Sequence, residues 1–262
     1  MDVPKRGQIR VGRRIYDRNG KYKDPSFPGF TPILVLTKST AYGSLGPYEL
    51  FDEKGRNFET MYQFSKVYQR VPTAREFKSR YDRTVIWEHP EEEHVKIEQV
   101  QKEDGSVEKV YQILPAYLKW RAKGMKSVHA IRYPVGFNAR SQCLFSFAEE
   151  NGKIIREPLN YIEARKKIYA PEYIRLVKKR SQFSELLKRL ENGENLLIIE
   201  VDGPHQESLN YYKEKYGVED DFIENDTMLC TQKNLSIMLN DTKHSYGHGY
   251  CLADALLELN VE

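Results

Sequence analysis

The sequence predicts a predominantly helical α+β fold. The second half of its 262 residues follows mostly the three- to four-residue periodicity of amphipathic helices. Short apolar runs bounded by turn-forming residues interrupt this pattern, as strands do. Hydrophobic residues make up 40% of the chain and charged residues 30%, which is ordinary for a globular protein, so we expect one packed core.

The first regular elements follow an irregular start. Residues 31–38, TPILVLTK, form an apolar run flanked by turn formers, which predicts a strand. From Phe58 the apolar positions recur every three or four residues, which predicts a helix that Asn57 caps and Pro72 ends. Proline suits the first position of a helix, so a second helix is expected over 73–82.

The middle of the chain is expected to be an inserted β-hairpin region around residues 85–157. Asp104–Gly105 lies between two β-prone segments of the stretch 95–114 and is a strong hairpin signal. Asn151–Gly152 is a second turn of this kind, and residues 127–137 also have strand character.

Downstream of this region the pattern is mostly helical. An apolar, strand-like run with an acid at its end, NLLIIEVD at 195–202, is the exception. Proline, glycine and the apolar periodicity predict the helices at 158–169, 171–179, 183–190, 206–216, 227–240 and 249–260.

Positive charge is concentrated at the N-terminus. Residues 1–23 hold eight basic and two acidic side chains, a net charge of +6, whereas the whole chain carries +3. We therefore divide the chain into a basic, irregular segment, 1–31, and a single domain, 32–262. The segment is either a solvated terminus or an arm that binds nucleic-acid phosphates. A non-catalytic nucleic-acid-binding module is thus an alternative function, and an interaction scaffold that displays the acidic hairpin is another.

Several protein classes receive no support. The three cysteines, with no CxxC spacing, fit a reducing compartment, and the lack of a long apolar run predicts a cytoplasmic protein without a membrane partner. P-loop, GxSxG and Cys-His patterns are missing. His205, His244 and His248 lack a metal-binding spacing, so neither a metal nor a cofactor is expected.

The most suggestive cluster of polar residues follows the start of the helix at Phe58. Glu59 lies in the first turn, where the helix dipole favours a carboxylate without any further purpose. Tyr62, Gln63 and Lys66 follow at i+3, i+4 and i+7, on the same helix face. Carboxylate, phenol, amide and ammonium together could position water and a phosphorylated substrate.

Other candidate positions lie at the ends of predicted strands and helices. Asp202 ends the strand-like run before Gly-Pro, where it either reaches the mouth of the fold or caps a turn. Arg132, in the strand-like stretch HAIRYP, could clamp a phosphate or pair with an acid. Gly247 and Gly249 precede an apolar helix whose N-terminus could cradle a phosphate.

Five stretches carry a resemblance to a known family. YGSLGPY followed by GRNFETMYQFSKVY resembles the opening block of the NADAR, or YbiA-like, family, and GHGYCLADALLEL is similar to its closing helix. PLNYIEARKKIYAPEYIRLV and LLIIEVD look like the family's aromatic-started helix and its run leading to an acid. The similarity covers 42–70 and 158–259 and omits the hairpin region.

The resemblance implies a YbiA-like, mostly helical N-glycosidase that cleaves a bond between ribose and a nitrogen base. The family's substrates include phosphorylated pyrimidine intermediates of riboflavin synthesis and ADP-ribose attached to nucleobases. By position, Glu59 would be the catalytic glutamate, and Asp202, with Asn210 as a rival, the catalytic aspartate. Tyr161 stands where the family usually has tryptophan. Substrate contacts are expected from Tyr48, Tyr62, Gln63, Lys66, Arg132, Tyr161, Gly249 and Tyr250.

Overall fold

The computed structural model describes residues 6–36, 41–71, 91–127, 129–131 and 142–262 and has the predicted α+β class. The chain divides into two compact units. The sheet unit comprises Met1–Leu50 and Arg165–Glu262, and the hairpin unit comprises Phe51–Ala164.

The regular elements are numbered in chain order. The strands are β1 Ile9–Arg13, β2 Ile15–Tyr16, β3 Tyr22–Lys23, β4 Thr31–Leu34, β5 Lys66–Tyr68, β6 Arg70–Val71, β7 Glu92–Glu93, β8 Val95–Gln101, β9 Val107–Ile113, β10 Cys143–Ser146, β11 Glu149–Glu150, β12 Lys153–Ile154, β13 Leu196–Glu200 and β14 Thr227–Leu229. The α-helices are α1 Phe58–Ser65, α2 Pro115–Met125, α3 Tyr161–Ala164, α4 Ala170–Val177, α5 Ser181–Glu191, α6 Leu209–Tyr216, α7 Gln232–Asn240 and α8 His248–Leu257.

A four-stranded sheet, in the order β14-β1-β13-β4, forms the centre of the sheet unit. Strand β13 runs parallel to both β1 and β4, and β14 is antiparallel to β1. Every residue of β13 is buried, as expected for an apolar run with a strand on each side. The apolar helix α8 packs on β1 and β13 and also contacts α4 and α5. The predictions of strands at 31–38 and 195–202 are thus confirmed over shorter bounds.

The expectation of an irregular N-terminal segment is wrong for β1, an inner strand of this sheet. Its only bulky apolar residues are Ile9 and Val11, and its other residues did not suggest a strand. Arg10 is nonetheless 4% exposed, because its guanidinium stacks 3.6 Å from the centroid of the Phe27 ring and donates to Thr227 Oγ1 at 2.8 Å. Internal pairing thus allows a charged residue inside the sheet unit.

The predicted helix at Phe58 exists, and Asn57 caps it by accepting a hydrogen bond from the Thr60 N–H. The expected end at Pro72 is wrong, because the helix ends at Ser65 and the chain continues directly as β5. The β-prone residues of β5 pair with β10 instead of extending the helix.

Both predicted hairpin turns are confirmed in the hairpin unit. Gly105, between β8 and β9, has a φ of 81°, and Asn151 and Gly152, between β11 and β12, have φ values of 50° and 78°. Asparagine and glycine tolerate this left-handed backbone better than other residues. The predicted helix at 73–82, and most of the stretch 127–137, lie outside the described residues.

Two further boundaries differ from the predictions. The helix expected from Pro158 begins at Tyr161, after Asn160 has accepted hydrogen bonds from the next turn, and it becomes a π-helical turn at Arg165–Tyr169. Residues 227–240 are not one helix, since β14 precedes α7. The expected helices at 171–179, 183–190, 206–216 and 249–260 correspond to α4, α5, α6 and α8.

Gly124→Ala is expected to lower the free energy of unfolding by about 1–2 kcal/mol. An added Cβ would lie 2.0 Å from a ring carbon of Phe64, which is fully buried against Trp120. Overpacking of this kind costs about 1–3 kcal/mol, whereas the better helix propensity of alanine returns at most about 1 kcal/mol. Urea unfolding would measure the difference.

The matched control is Lys119→Ala on the exposed side of the same helix, where we expect a change within about 0.5 kcal/mol. A Gly124→Ala protein as stable as the wild type would contradict the close packing of α2 on α1.

Candidate functional site

Three polar side chains of the hairpin unit form one chain of hydrogen bonds. Lys66 Nζ donates to Gln63 Oε1 at 2.8 Å, and Gln63 Nε2 donates to Glu59 Oε1 at 2.8 Å. The ammonium of Lys66 also lies 4.8 Å from the centroid of the Tyr62 ring. We call Glu59, Tyr62, Gln63 and Lys66 the Glu59 cluster, and its members come together as the sequence predicted.

The reason for the position of Lys66 differs from the predicted one. Lys66 is not on the face of α1, since its ψ of 145° belongs to the strand that follows the helix. Its side chain nevertheless turns back toward Gln63. Gln63 lies four residues after Glu59 in α1, so these two side chains are neighbours on one face of the helix. Glu59 is half-buried, and Gln63 is 7% exposed, so the amide has little freedom to leave this arrangement.

A second polar region is a cleft of about 180 Å³ in the sheet unit. Asp202 follows β13, and Arg13 ends β1, so both come from neighbouring strands of the sheet. His205, Lys243 and His244 also line the cleft. We call it the Arg13 cleft.

Behind this cleft, Asp241 accepts hydrogen bonds from several surrounding donors. Its side chain is 1% exposed, and Oδ2 accepts from His244 Nδ1 at 2.7 Å. Burial alone would raise the pKa of Asp241, but hydrogen bonds, led by those from Tyr211 and His244, hold this pKa well below its usual value. Three phenols donate to the carboxylate: Tyr211 at 2.5 Å, Tyr212 at 3.1 Å and Tyr216 at 3.2 Å.

The N-terminus of α8 already holds an internal anion. Glu200, at the end of β13, is 0% exposed and accepts the Gly249 N–H through Oε1 at 2.9 Å. A Cβ at Gly247 would lie 2.3 Å from its carboxylate oxygens, so the glycine makes room for this carboxylate. The expected phosphate cradle at Gly247 and Gly249 is therefore wrong, since Glu200 fills that place.

The buried carboxylate of Glu200 is paired with His248. Oε2 of Glu200 lies 3.1 Å from Nδ1 of His248, whose Nε2 lies 3.0 Å from the carbonyl oxygen of Val35. Burial by itself would lower the pKa of His248, but the negative charge of Glu200 beside the ring outweighs it and raises this pKa. Two acceptors flank the ring, so the imidazolium form, with two donors, fits the site.

The remaining predicted site residues lie in different surroundings. Tyr161 is 50% exposed, and Tyr48 is half-buried. Asp202 and its rival Asn210 are both exposed. Tyr250 has no exposed surface and stacks 5.1 Å from Tyr246, so a direct contact between this phenol and a ligand would require α8 to move.

The predicted residues belong to both units. Glu59, Tyr62, Gln63, Lys66 and Tyr161 lie in the hairpin unit, and Tyr48, Asp202, Gly249 and Tyr250 lie in the sheet unit. Arg132 lies outside the described residues. That Glu59 and Asp202 act on one sugar therefore stays a prediction.

The basic N-terminal segment is engaged in internal contacts. Besides the contacts of Arg10, the Arg14 guanidinium makes two hydrogen bonds to Asp24, at 2.5 and 2.7 Å, and Arg6 donates to the carbonyl of Leu256 at 2.5 Å. These three side chains are occupied by internal contacts, and binding of nucleic-acid phosphates by the basic segment stays a prediction.

Metal-binding clusters and membrane-spanning helices are both absent from the described ranges. Histidine, cysteine, aspartate and glutamate side chains do not gather there in groups of three or more that could hold a metal ion. The helices of these ranges are too short or too polar to cross a lipid bilayer.

Comparison of the chain with models of protein families gave no match, and curated proteins and solved structures gave none either. The resemblance to the NADAR family stays a prediction.

Proposed function

We propose that the protein is an N-glycosidase that hydrolyses the bond between ribose and a nitrogen base in a phosphorylated substrate. The substrate is a phosphoribosyl or ADP-ribosyl conjugate of a nucleobase-like group, and Glu59 is the catalytic carboxylate. The proposal joins the resemblance to the NADAR family with the geometry of the Glu59 cluster.

The hydrogen-bond chain from Lys66 to Glu59 is the single observation that carries the proposal. An ammonium only donates, so Lys66 requires the oxygen end of the Gln63 amide to face it. The nitrogen end then faces Glu59 and donates to the carboxylate. This arrangement orients one carboxylate oxygen in advance, as a catalytic acid or base requires.

The chemistry of N-glycoside hydrolysis suits such a carboxylate. Positive charge develops on the sugar as the bond to the base breaks, and the oxygen of water attaches to the anomeric carbon. A nearby carboxylate stabilises this oxocarbenium-like state or accepts the proton of the attacking water. The departing base takes up the proton that balances the reaction. General-base assistance typically accelerates a reaction by about 10²–10⁴-fold.

Other roles follow from the same proposal. The exposed ring of Tyr161 could stack on the base. Asp202, exposed beside the Arg13 cleft, is proposed as the second carboxylate. A cytoplasmic location also belongs to the proposal, since the cysteines Cys143, Cys230 and Cys251 are all free, as they would be in a reducing compartment.

Product analysis tests the proposal. The full chain is incubated with a ribosylated pyrimidine phosphate and, separately, with ADP-ribosylated nucleic acid. We expect release of the free base from the first or of ADP-ribose from the second. A folded protein that releases neither product would contradict hydrolysis. Salt-dependent binding of the nucleic acid without release would favour the alternative of a binding module.

A further inference from the structure

The Arg13 cleft holds an arginine that forms no ion pair with any residue the structure describes. Arg10 and Arg14, the nearest arginines along the chain, pair with Glu224 and Asp24. Within the described ranges, the Arg13 guanidinium has neither a hydrogen-bond nor an ion-pair partner, although its side chain is half-buried at the cleft. A partly desolvated, unpaired guanidinium is a suitable group for binding an anion.

The loop after β13 is held close to Arg13 by backbone contacts. A Cβ at Gly203 would lie 2.6 Å from the carbonyl oxygen of Gly12 and 2.9 Å from the Arg13 nitrogen, so the loop requires glycine at this point. The Arg13 N–H donates to the carbonyl of Asp226 at 2.9 Å, and Asp226 Oδ1 accepts the Gln206 N–H at 2.8 Å. The wall of the cleft is therefore tied to the strand that carries Arg13.

Two histidines add ring nitrogens to the same cleft. His205 Nδ1 accepts the Glu207 N–H at 3.1 Å, which places the proton of the neutral ring on Nε2 as a donor. His244 Nδ1 is engaged with Asp241, so its Nε2 is the atom left for a ligand. Because the Asp241 carboxylate accepts from the ring, it holds the His244 side chain in place at the cleft.

The remaining charges select the kind of anion. Lys243 adds a second permanent positive charge, and Asp202 adds one negative charge. A carboxylate repels a phosphate but accepts hydrogen bonds from sugar hydroxyls. The volume of about 180 Å³ is below the roughly 300–1,000 Å³ of pockets for drug-sized ligands, so a small molecule fits.

We propose that the Arg13 cleft binds a sugar phosphate, with Arg13, His205 and His244 contacting the phosphate and Asp202 the sugar hydroxyls. This inference rests on the proposed function only in the choice of ribose as the sugar. Lys243, at the rim of the cleft, strengthens the attraction of the dianion over a longer distance. Asp241 is a positioning residue, because it holds the His244 ring.

Isothermal titration calorimetry of the full chain with ribose 5-phosphate, inorganic phosphate and ribose tests this inference. We expect saturable binding of ribose 5-phosphate, weaker binding of inorganic phosphate and the weakest binding of ribose. Arg13→Gln should weaken ribose 5-phosphate binding about 10-fold or more, because it removes charge-assisted hydrogen bonds. Arg18→Gln, on an exposed arginine of the same segment, is the matched control and should bind like the wild type.

Lys243→Gln provides a second variant, since its exposed side chain can be replaced without disturbing the fold. We expect it to weaken ribose 5-phosphate binding severalfold and to reduce the salt dependence of binding. Equal affinity of Arg13→Gln, Lys243→Gln and the wild type for ribose 5-phosphate would overturn the inference, as would the absence of saturable binding.

The binding test of this inference and the hydrolysis test of the proposed function can succeed or fail independently of each other. A protein that hydrolyses an N-glycoside but binds ribose 5-phosphate independently of Arg13 would overturn this inference alone. Arg13-dependent binding without any hydrolysis would support it and count against the proposed function.

Discussion

His248→Leu is expected to lower the free energy of unfolding by about 3–5 kcal/mol. The substitution leaves the Glu200 carboxylate, which is 0% exposed, without its charged partner, and only the Gly249 N–H still donates to it. A buried charge that has lost its partner is costly, because the interior solvates it poorly. Urea unfolding at neutral pH would measure the loss.

A double-variant comparison separates the lost pair from simple loss of packing. In Glu200→Gln, neutral His248 can still accept a hydrogen bond from the new amide, so this protein should be less destabilised than His248→Leu. Glu200→Gln combined with His248→Leu buries no charge and should be more stable than His248→Leu alone. If the double variant lost as much free energy of unfolding as the two single variants together, the result would contradict the ion pair.

The Glu200–His248 pair also makes the free energy of unfolding depend on pH, in a direction that follows from the raised pKa of His248. Because the pKa of His248 is raised in the folded protein, its stabilising contribution is complete below the unfolded value of about 6.5. The contribution is lost as the pH rises from there through the folded pKa. Urea midpoints measured above pH 6.5 should fall in the wild type, and the part of this fall due to His248 should be missing in His248→Leu.

Asp241→Asn is expected to lower the free energy of unfolding by about 3–5 kcal/mol, even though the two side chains have nearly the same shape. Both carboxylate oxygens of Asp241 accept hydrogen bonds: Oδ1 from Tyr211 and Tyr216, and Oδ2 from Tyr212 and His244. An amide accepts at one end only, so its NH₂ group must face donors in either orientation. Buried donors without acceptors cost about 1–3 kcal/mol each.

Acid unfolding provides the measurement for Asp241. Its pKa is lowered in the folded protein, so its contribution is present above the unfolded value of about 3.9 and is lost as the pH falls through the folded pKa. Asp221→Asn, an exposed aspartate of the same unit, should change stability by no more than about 0.5 kcal/mol. Equal acid midpoints for Asp241→Asn and Asp221→Asn would contradict the hydrogen-bond network.

Elements with a strong local signal could be predicted from the sequence. The Asn57 cap and the turns at Gly105 and Gly152 depend on backbone preferences of a few neighbouring residues. Strand β1 could not be predicted in this way, because it is held by pairing with β13, more than 180 residues away. The end of α1 was missed for a similar reason, since β5 is recruited by the distant strand β10.

In the candidate sites, too, contacts within one helix could be predicted, whereas contacts between distant segments could not. The contact between Glu59 and Gln63 follows from helical spacing, which the sequence displays. Asp241 gives no comparable signal, because the tyrosines around it come from α6, about 30 residues earlier in the chain. The sequence does not single out Glu200 from Asp202, since both acids lie at the end of the same apolar run and only the end of β13, at Glu200, separates the buried acid from the exposed one.

The rate of N-glycosidic cleavage by Glu59→Gln, relative to the wild type, bears most directly on the proposed function. The substitution keeps the size of the side chain but removes the carboxylate, so we expect a rate about 10²–10⁴-fold lower at unchanged stability. Glu103→Gln, on an exposed hairpin turn of the same unit, is the matched control and should cleave like the wild type. Equal cleavage rates for Glu59→Gln, Glu103→Gln and the wild type would contradict the catalytic role of Glu59.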